Sequence, residues 1–157
     1  MALVVGCATL GPIGAKLPAP GTWGSLVGLV YCAGIFRWLD GGWALAVGLA
    51  AAYLAVGLCG EAEVRLGKKD PGQVILDEFV AMPLCFIGWP ALIATLPVWG
   101  LALAGFALFR FFDILKPLGI ARLQNLPGGW GVVGDDLAAA LAACASLHAG
   151  VWLWSLH

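Results

Sequence analysis

The chain has 157 residues, 62% hydrophobic and 11% charged, with a formal net charge of -1 and a mean hydropathy of +0.96. An ordinary soluble domain carries about 25% charged residues. This chain lacks the polar side chains to cover its own surface, and its charge excludes a basic nucleic-acid binder. The expected class is a single all-α domain, 1–157, embedded in a membrane.

In chain order, Met1 to Leu10 has neither a basic n-region nor an extended apolar core, so it does not read as a signal peptide. Pro18 to Ser25, PAPGTWGS, leads into a first expected membrane helix, Gly24 to Trp38, whose one charge, Arg37, can snorkel to an interface. Thr22 or Ser25 either caps this helix or, with the backbone N–H groups of a helix start, holds a phosphate. Asp40-Gly41-Gly42 turns the chain into a second helix, Trp43 to Gly60. Cys59 to Arg65, CGEAEVR, has the C-x5-R spacing of cysteine phosphatases, but Glu61 and Glu63 would face the phosphate, so no thiolate nucleophile is expected. The five cysteines form no CxxC pair and read as small apolar packing residues.

Phe79 to Phe109 carries no charge over 31 residues. As one helix it would run about 46 Å, against a hydrocarbon core of about 30 Å. Pro83, Gly88-Trp89-Pro90 and Pro97 interrupt it, so a tight helical hairpin is expected, its first arm starting near Pro71. Leu137 to Leu156 is the clearest span, with 20 uncharged residues. Five membrane-inserted helices result, two hairpins and a C-terminal span.

This topology puts Lys16, Arg65, Lys68, Lys69, Arg110, Lys116 and Arg122 on the N-terminal side and only Arg37 opposite, so the positive-inside rule makes that side cytoplasmic. Glu61, Glu63, Asp70, Asp77, Glu78, Asp113, Asp135 and Asp136 gather there too, leaving only Asp40 on the far side. The rule does not explain acids, so this face reads as a site.

Besides Pro18 to Ser25, three segments could carry its chemistry. In DPGQVILDEF, Asp70 to Phe79, Asp70 before Pro71 fits an N-cap, and Asp77 lies two turns up the same face beside Glu78. Acids at that depth should be paired, with Lys68, Lys69 or Arg110, or should bind a cation. In RFFDILKP, Arg110, Asp113 and Lys116 alternate in sign at i, i+3 spacing; a solvated ladder would look the same, but two cations around one acid also suit a phosphate beside a metal. In PGGWGVVGDD, Pro127 to Asp136, the glycines Gly128 and Gly129 let backbone N–H groups approach an anion, and Asp135 and Asp136 open the last helix, one as a cap and the other as a ligand. Hard carboxylate oxygens suit Mg²⁺, whose site often includes substrate phosphate. The two histidines, His148 and His157, fall away from this face.

PGTWGS, DPGQVILDEFV, RFFDILKP and PGGWGVVGDD, in this order along nearly the whole chain, resemble the phosphatidylglycerophosphatase A family of Mg²⁺-dependent lipid phosphatases. Ala81, Gly119 and Pro127 depart from the family pattern without removing a carboxylate or a cation. The resemblance implies hydrolysis of phosphatidylglycerophosphate at the cytoplasmic side of a bacterial inner membrane. The N-terminus would also face the cytoplasm. The partners would be this substrate and the surrounding lipids, with no nucleic acid and with homo-oligomerisation left open.

Under this reading Asp77, Glu78, Asp113, Asp135 and Asp136 hold one or two Mg²⁺ ions. Lys116 and Arg110 hold the phosphomonoester, helped by Thr22, Ser25, Gly128 and Gly129. Mg²⁺-activated water attacks in line, with Asp70 as the spare base. A small cation transporter or channel subunit would use the same carboxylates, but it needs a polar path that His148, Ser146, Thr95 and Tyr53 scarcely provide. A scaffold subunit would explain the glycines and not the acids.

Overall fold

The computed structural model describes residues 2–34, 38–39, 41–94 and 96–156. Arg37, Asp40, Thr95 and His157 lie outside them. The described residues form helices without a strand: α1 (Ala2–Ala8), α2 (Pro12–Lys16), α3 (Pro20–Gly34), α4 (Gly41–Leu66), α5 (Leu76–Ala81), α6 (Trp89–Ile93), α7 (Val98–Leu115) and α8 (Gly129–Trp154). Two 3-10 segments, Met82–Phe86 and Ile120–Asn125, join them.

Among the described residues three helices are long and apolar enough to cross a membrane: Gly42–Leu66, Val98–Leu115 and Gly129–Trp154. They correspond to three of the five expected insertions. The expected first helix is present as α3, whose described stretch, Pro20–Gly34, is 15 residues, about 22 Å. The expected first arm of the middle hairpin is three short pieces. Pro83 brings no N–H to an α-helical ladder, and α5 gives way to a 3-10 turn. Gly88 then takes a left-handed conformation (φ 76°) before α6 starts at Trp89, with Pro90 in its first turn. The Ile87 carbonyl oxygen at this break lies 2.8 Å from His148 Nε2 and accepts a longer bond from Cys144 Sγ at 3.7 Å. His148, expected away from the acidic face, thus satisfies a carbonyl that a broken helix leaves open.

Two further expectations are corrected at the ends of elements. Asp70 does not cap a helix: it stands in the loop with φ 45°, and α5 begins six residues later. Asp135 and Asp136 do not open α8 either, because the glycine-rich segment before them is already helical from Gly129.

α8 is the centre of the packing, against α4, α7, α5 and the Met82–Phe86 turn. Its face there is small: Ala139, Ala140 and Ala143 are fully buried. Small side chains let helix backbones close up where no hydrophobic effect drives helices together. At the other end of α8 a Cβ on Gly129 would collide with the Val56 carbonyl oxygen of α4 and stand 2.8 Å from the Gly60 nitrogen. Away from these contacts the spans turn Tyr53, Leu54, Leu103, Phe111, Ile114 and Trp152 outward, as a lipid-facing surface would.

A candidate metal centre where five helix ends meet

α4 and α7 end, and α3, α5 and α8 begin, at the same end of the molecule, and the chemistry-bearing side chains collect there. Asp77 and Glu78 sit in the first turn of α5, and Asp136 sits two turns into α8. One carboxylate oxygen from each lies within 4.8 Å of the others, the group among the described residues able to hold a metal ion. Asp77 and Asp136 are buried. Glu78 Oε2 is buried without a hydrogen-bond partner.

Helix α3 closes the centre on one side. A Cβ on Gly21 would collide with Glu78 Oε1, so the glycine of PGTWGS lets α3 approach this carboxylate. Ser25 is fully buried; its hydroxyl donates to the Gly21 carbonyl oxygen at 2.9 Å and accepts from Arg110 Nη1 at 3.4 Å. The same Arg110 nitrogen donates to Asp113 Oδ2 at 2.7 Å and lies 4.0 Å from Glu78 Oε1. Arg110 is therefore the partner of Asp113 first and of Glu78 at the edge of reach.

Lys116 terminates α7 in a left-handed conformation with φ 45°, which is costly for a residue with a Cβ. Its ammonium donates to Asp135 Oδ2, and the opposite oxygen, Asp135 Oδ1, is buried without a partner. Burial depresses the Lys116 pKa, but the hydrogen bond and charge of Asp135 outweigh it, so the ammonium is held above its ordinary value.

Outside the spanning helices the acids shift in one direction. Burial, then the negative charges of Glu78 and Asp136, push Asp77 well above its ordinary value, and burial raises Glu78 as well. Such crowding costs free energy unless a cation relieves it. Three hard oxygens, one of them orphaned, with no ammonium or guanidinium on Asp77 or Asp136 among the described residues, fit a divalent cation of the Mg²⁺ or Ca²⁺ type.

The sequence-expected residues are thus brought together unequally. Asp77, Glu78 and Asp136 converge, Arg110, Asp113 and Ser25 form a linked set beside them, and Lys116 pairs with Asp135. Asp113 and Asp135 are outside the converging group. Thr22 lies half-buried in the first turn of α3 without a side-chain bond to these groups among the described residues, and Gly128 is exposed. Gly129 is buried against α4. Asp70 is exposed in the loop before α5, its N–H donating to Glu63 Oε1 at 2.7 Å. Burial and the Asp135 charge raise its pKa, and Lys116 opposes them.

Glu63 was missed as an anchor for that loop. Its seven-residue spacing from Asp70 across a turn carries no motif. The close approach at Gly21 was missed as well, because a glycine opening a helix looks the same whether it serves a ligand or a neighbouring side chain.

Residues 6–151 match the family model for phosphatidylglycerophosphatase A. A protein of Haemophilus influenzae named phosphatidylglycerophosphatase A is 36% identical over 140 residues, which cover 88% of this chain and 82% of that protein. An Escherichia coli protein of the same name is 31% identical over 134 residues, covering 82% and 72%. A Bacteroides thetaiotaomicron protein, provisionally named a phosphatidylinositol-3-phosphatase, is 36% identical over 89 residues, covering 54% and 52%. No solved structure matches the chain.

Proposed function

The chain belongs to the phosphatidylglycerophosphatase A family, and from that premise we propose that it hydrolyses the terminal phosphomonoester of phosphatidylglycerophosphate at the cytoplasmic face of a bacterial inner membrane. The products are phosphatidylglycerol and inorganic phosphate. The observation that carries the reading is the convergence of Asp77, Glu78 and Asp136 beside two cations at one end of an apolar helical bundle.

Asp77, Glu78 and Asp136 would hold Mg²⁺, with Asp113 and Asp135 reaching it directly or through water. An ion bound there supplies positive charge to the phosphoryl oxygens and lowers the pKa of water. Lys116 and Arg110 donate to the remaining oxygens of the phosphomonoester and offset charge that develops as the bond to the glycerol oxygen lengthens. Their carboxylate partners fix both cations, so little reorganisation is needed on substrate entry. Ser25 orients the guanidinium through its hydroxyl. Asp70 takes the proton of the attacking water, helped by a pKa that burial and the Asp135 charge raise above its ordinary value.

Phosphate release from phosphatidylglycerophosphate by purified protein tests the reading. Release with Mg²⁺ and its loss in excess EDTA are expected. Absence of release from folded protein, in lipid as well as detergent, overturns it. Stereochemistry at phosphorus separates direct in-line attack, which inverts the configuration, from a phospho-aspartate route, whose two displacements retain it.

A further inference from the structure

Beside the metal centre, the end of α4 and the loop after it face the segment before α8 across an open groove of about 450 Å³. Glu63, Lys68 and Lys69 line one wall, and Asn125 and Gly128 the other. The metal centre and its Arg110 and Lys116 partners are not among the groove's lining residues. Lys68 and Lys69 are exposed and, among the described residues, form no ion pair. The single acid of the wall, Glu63, has its Oε1 engaged by the Asp70 N–H. The groove therefore carries two ammonium groups against one carboxylate that is already bonded. It also shares an edge with the centre, since Asp70, next to Lys69 in the same loop, lies in the field of Asp135 and Lys116.

We propose that this groove binds a phosphodiester anion, with Lys68 and Lys69 as its counter-charges and the Asn125 amide as a neutral donor. The inference rests on the function proposed above and extends it. The substrate there carries two phosphates, a terminal monoester that reacts and an internal diester one glycerol away. A site with cations only at the monoester would not distinguish this lipid from other phosphomonoesters. A second anion site displaced toward the loop does. The diester that fills it belongs either to the substrate itself or to a neighbouring anionic lipid, and the recognising chemistry is the same for both.

The test compares wild type with Lys68→Ala/Lys69→Ala on short-chain phosphatidylglycerophosphate in neutral detergent micelles. If the diester is the substrate's own, KM rises about 10- to 30-fold, the loss of two lysine–phosphate contacts, while kcat stays within about twofold. Lys68→Arg/Lys69→Arg restores the wild-type KM. If the diester is a neighbour's, the alanine variant matches wild type in neutral micelles and loses only the activation that added phosphatidylglycerol gives wild type. Equal behaviour of both proteins in both settings overturns the proposal, and so does a fall in kcat without a change in KM. Calorimetric titration with dihexanoyl phosphatidylglycerol reads the groove without turnover: binding that the alanine variant loses is expected, and equal binding overturns the proposal. A wild type that binds this lipid but releases no phosphate would instead count against the assigned reaction.

Discussion

Asp77, Glu78 and Asp136 are three acids in one place because two local devices meet: the first turn of a six-residue helix supplies two, and a long helix supplies the third two turns from its start. Removing one charge while keeping shape should break the cation site without breaking the fold. Asp77→Asn is expected to lower Mg²⁺-dependent phosphate release by about 10²-fold or more and to abolish the rise in melting temperature that Mg²⁺ gives wild type; release rates and thermal scans with and without Mg²⁺ check both. Lys116→Ala should lower kcat/KM by about 10²- to 10³-fold. It also leaves the buried Asp135 without its ammonium, so the variant should melt earlier than wild type in the same detergent. These residues were legible in the sequence as residue types, since acids and cations are rare in so apolar a chain. Their grouping was not. Asp113 and Asp77 look equally suited to a metal in the sequence, yet Arg110 takes the first at 2.7 Å and no described cation takes the second.

At the scale of the element, the three long apolar runs were readable because length and missing charge are enough to define a span. The ends were not, for one reason that recurs. Glycine in a membrane helix serves packing as often as breaking, and Gly129 looked like loop although it is where α8 lies against the α4 backbone. Gly129→Ala drives a methyl group into the Val56 carbonyl and should destabilise the α4–α8 pair by about 1–3 kcal/mol, read as a lower melting temperature. Asp70-Pro71 misled in the opposite sense. It has the composition of a helix start, but the chain stays irregular until Leu76, with Ile75 N–H donating to the Ala8 carbonyl oxygen at 2.9 Å. A long-range bond of that kind has no local signature.

For the whole molecule, the expectation of a helical bundle with a polar end holds, and the acids make that end sensitive to pH. The folded pKa values of Asp77 and Glu78 are raised, so without metal these groups favour the fold most below their ordinary values and lose that contribution as pH rises through the raised ones. A divalent cation held there would bind the deprotonated carboxylates and reverse the trend. The stabilisation given by a fixed Mg²⁺ concentration should therefore grow between about pH 5 and about pH 8, measured as the difference in melting temperature with Mg²⁺ and with EDTA. A constant difference across that range would separate the cation from these acids.

The meeting of five helix ends has a kinetic consequence. Five acids and two cations, Arg110 and Lys116, give the cluster a formal charge of minus three. A phosphate dianion approaching it alone is repelled, while one approaching after a divalent ion meets a far smaller barrier. Ligand entry under the proposed function would therefore be sequential by electrostatics, cation before anion. Inorganic phosphate, the expected product, would then hold to the protein only as long as the cation does.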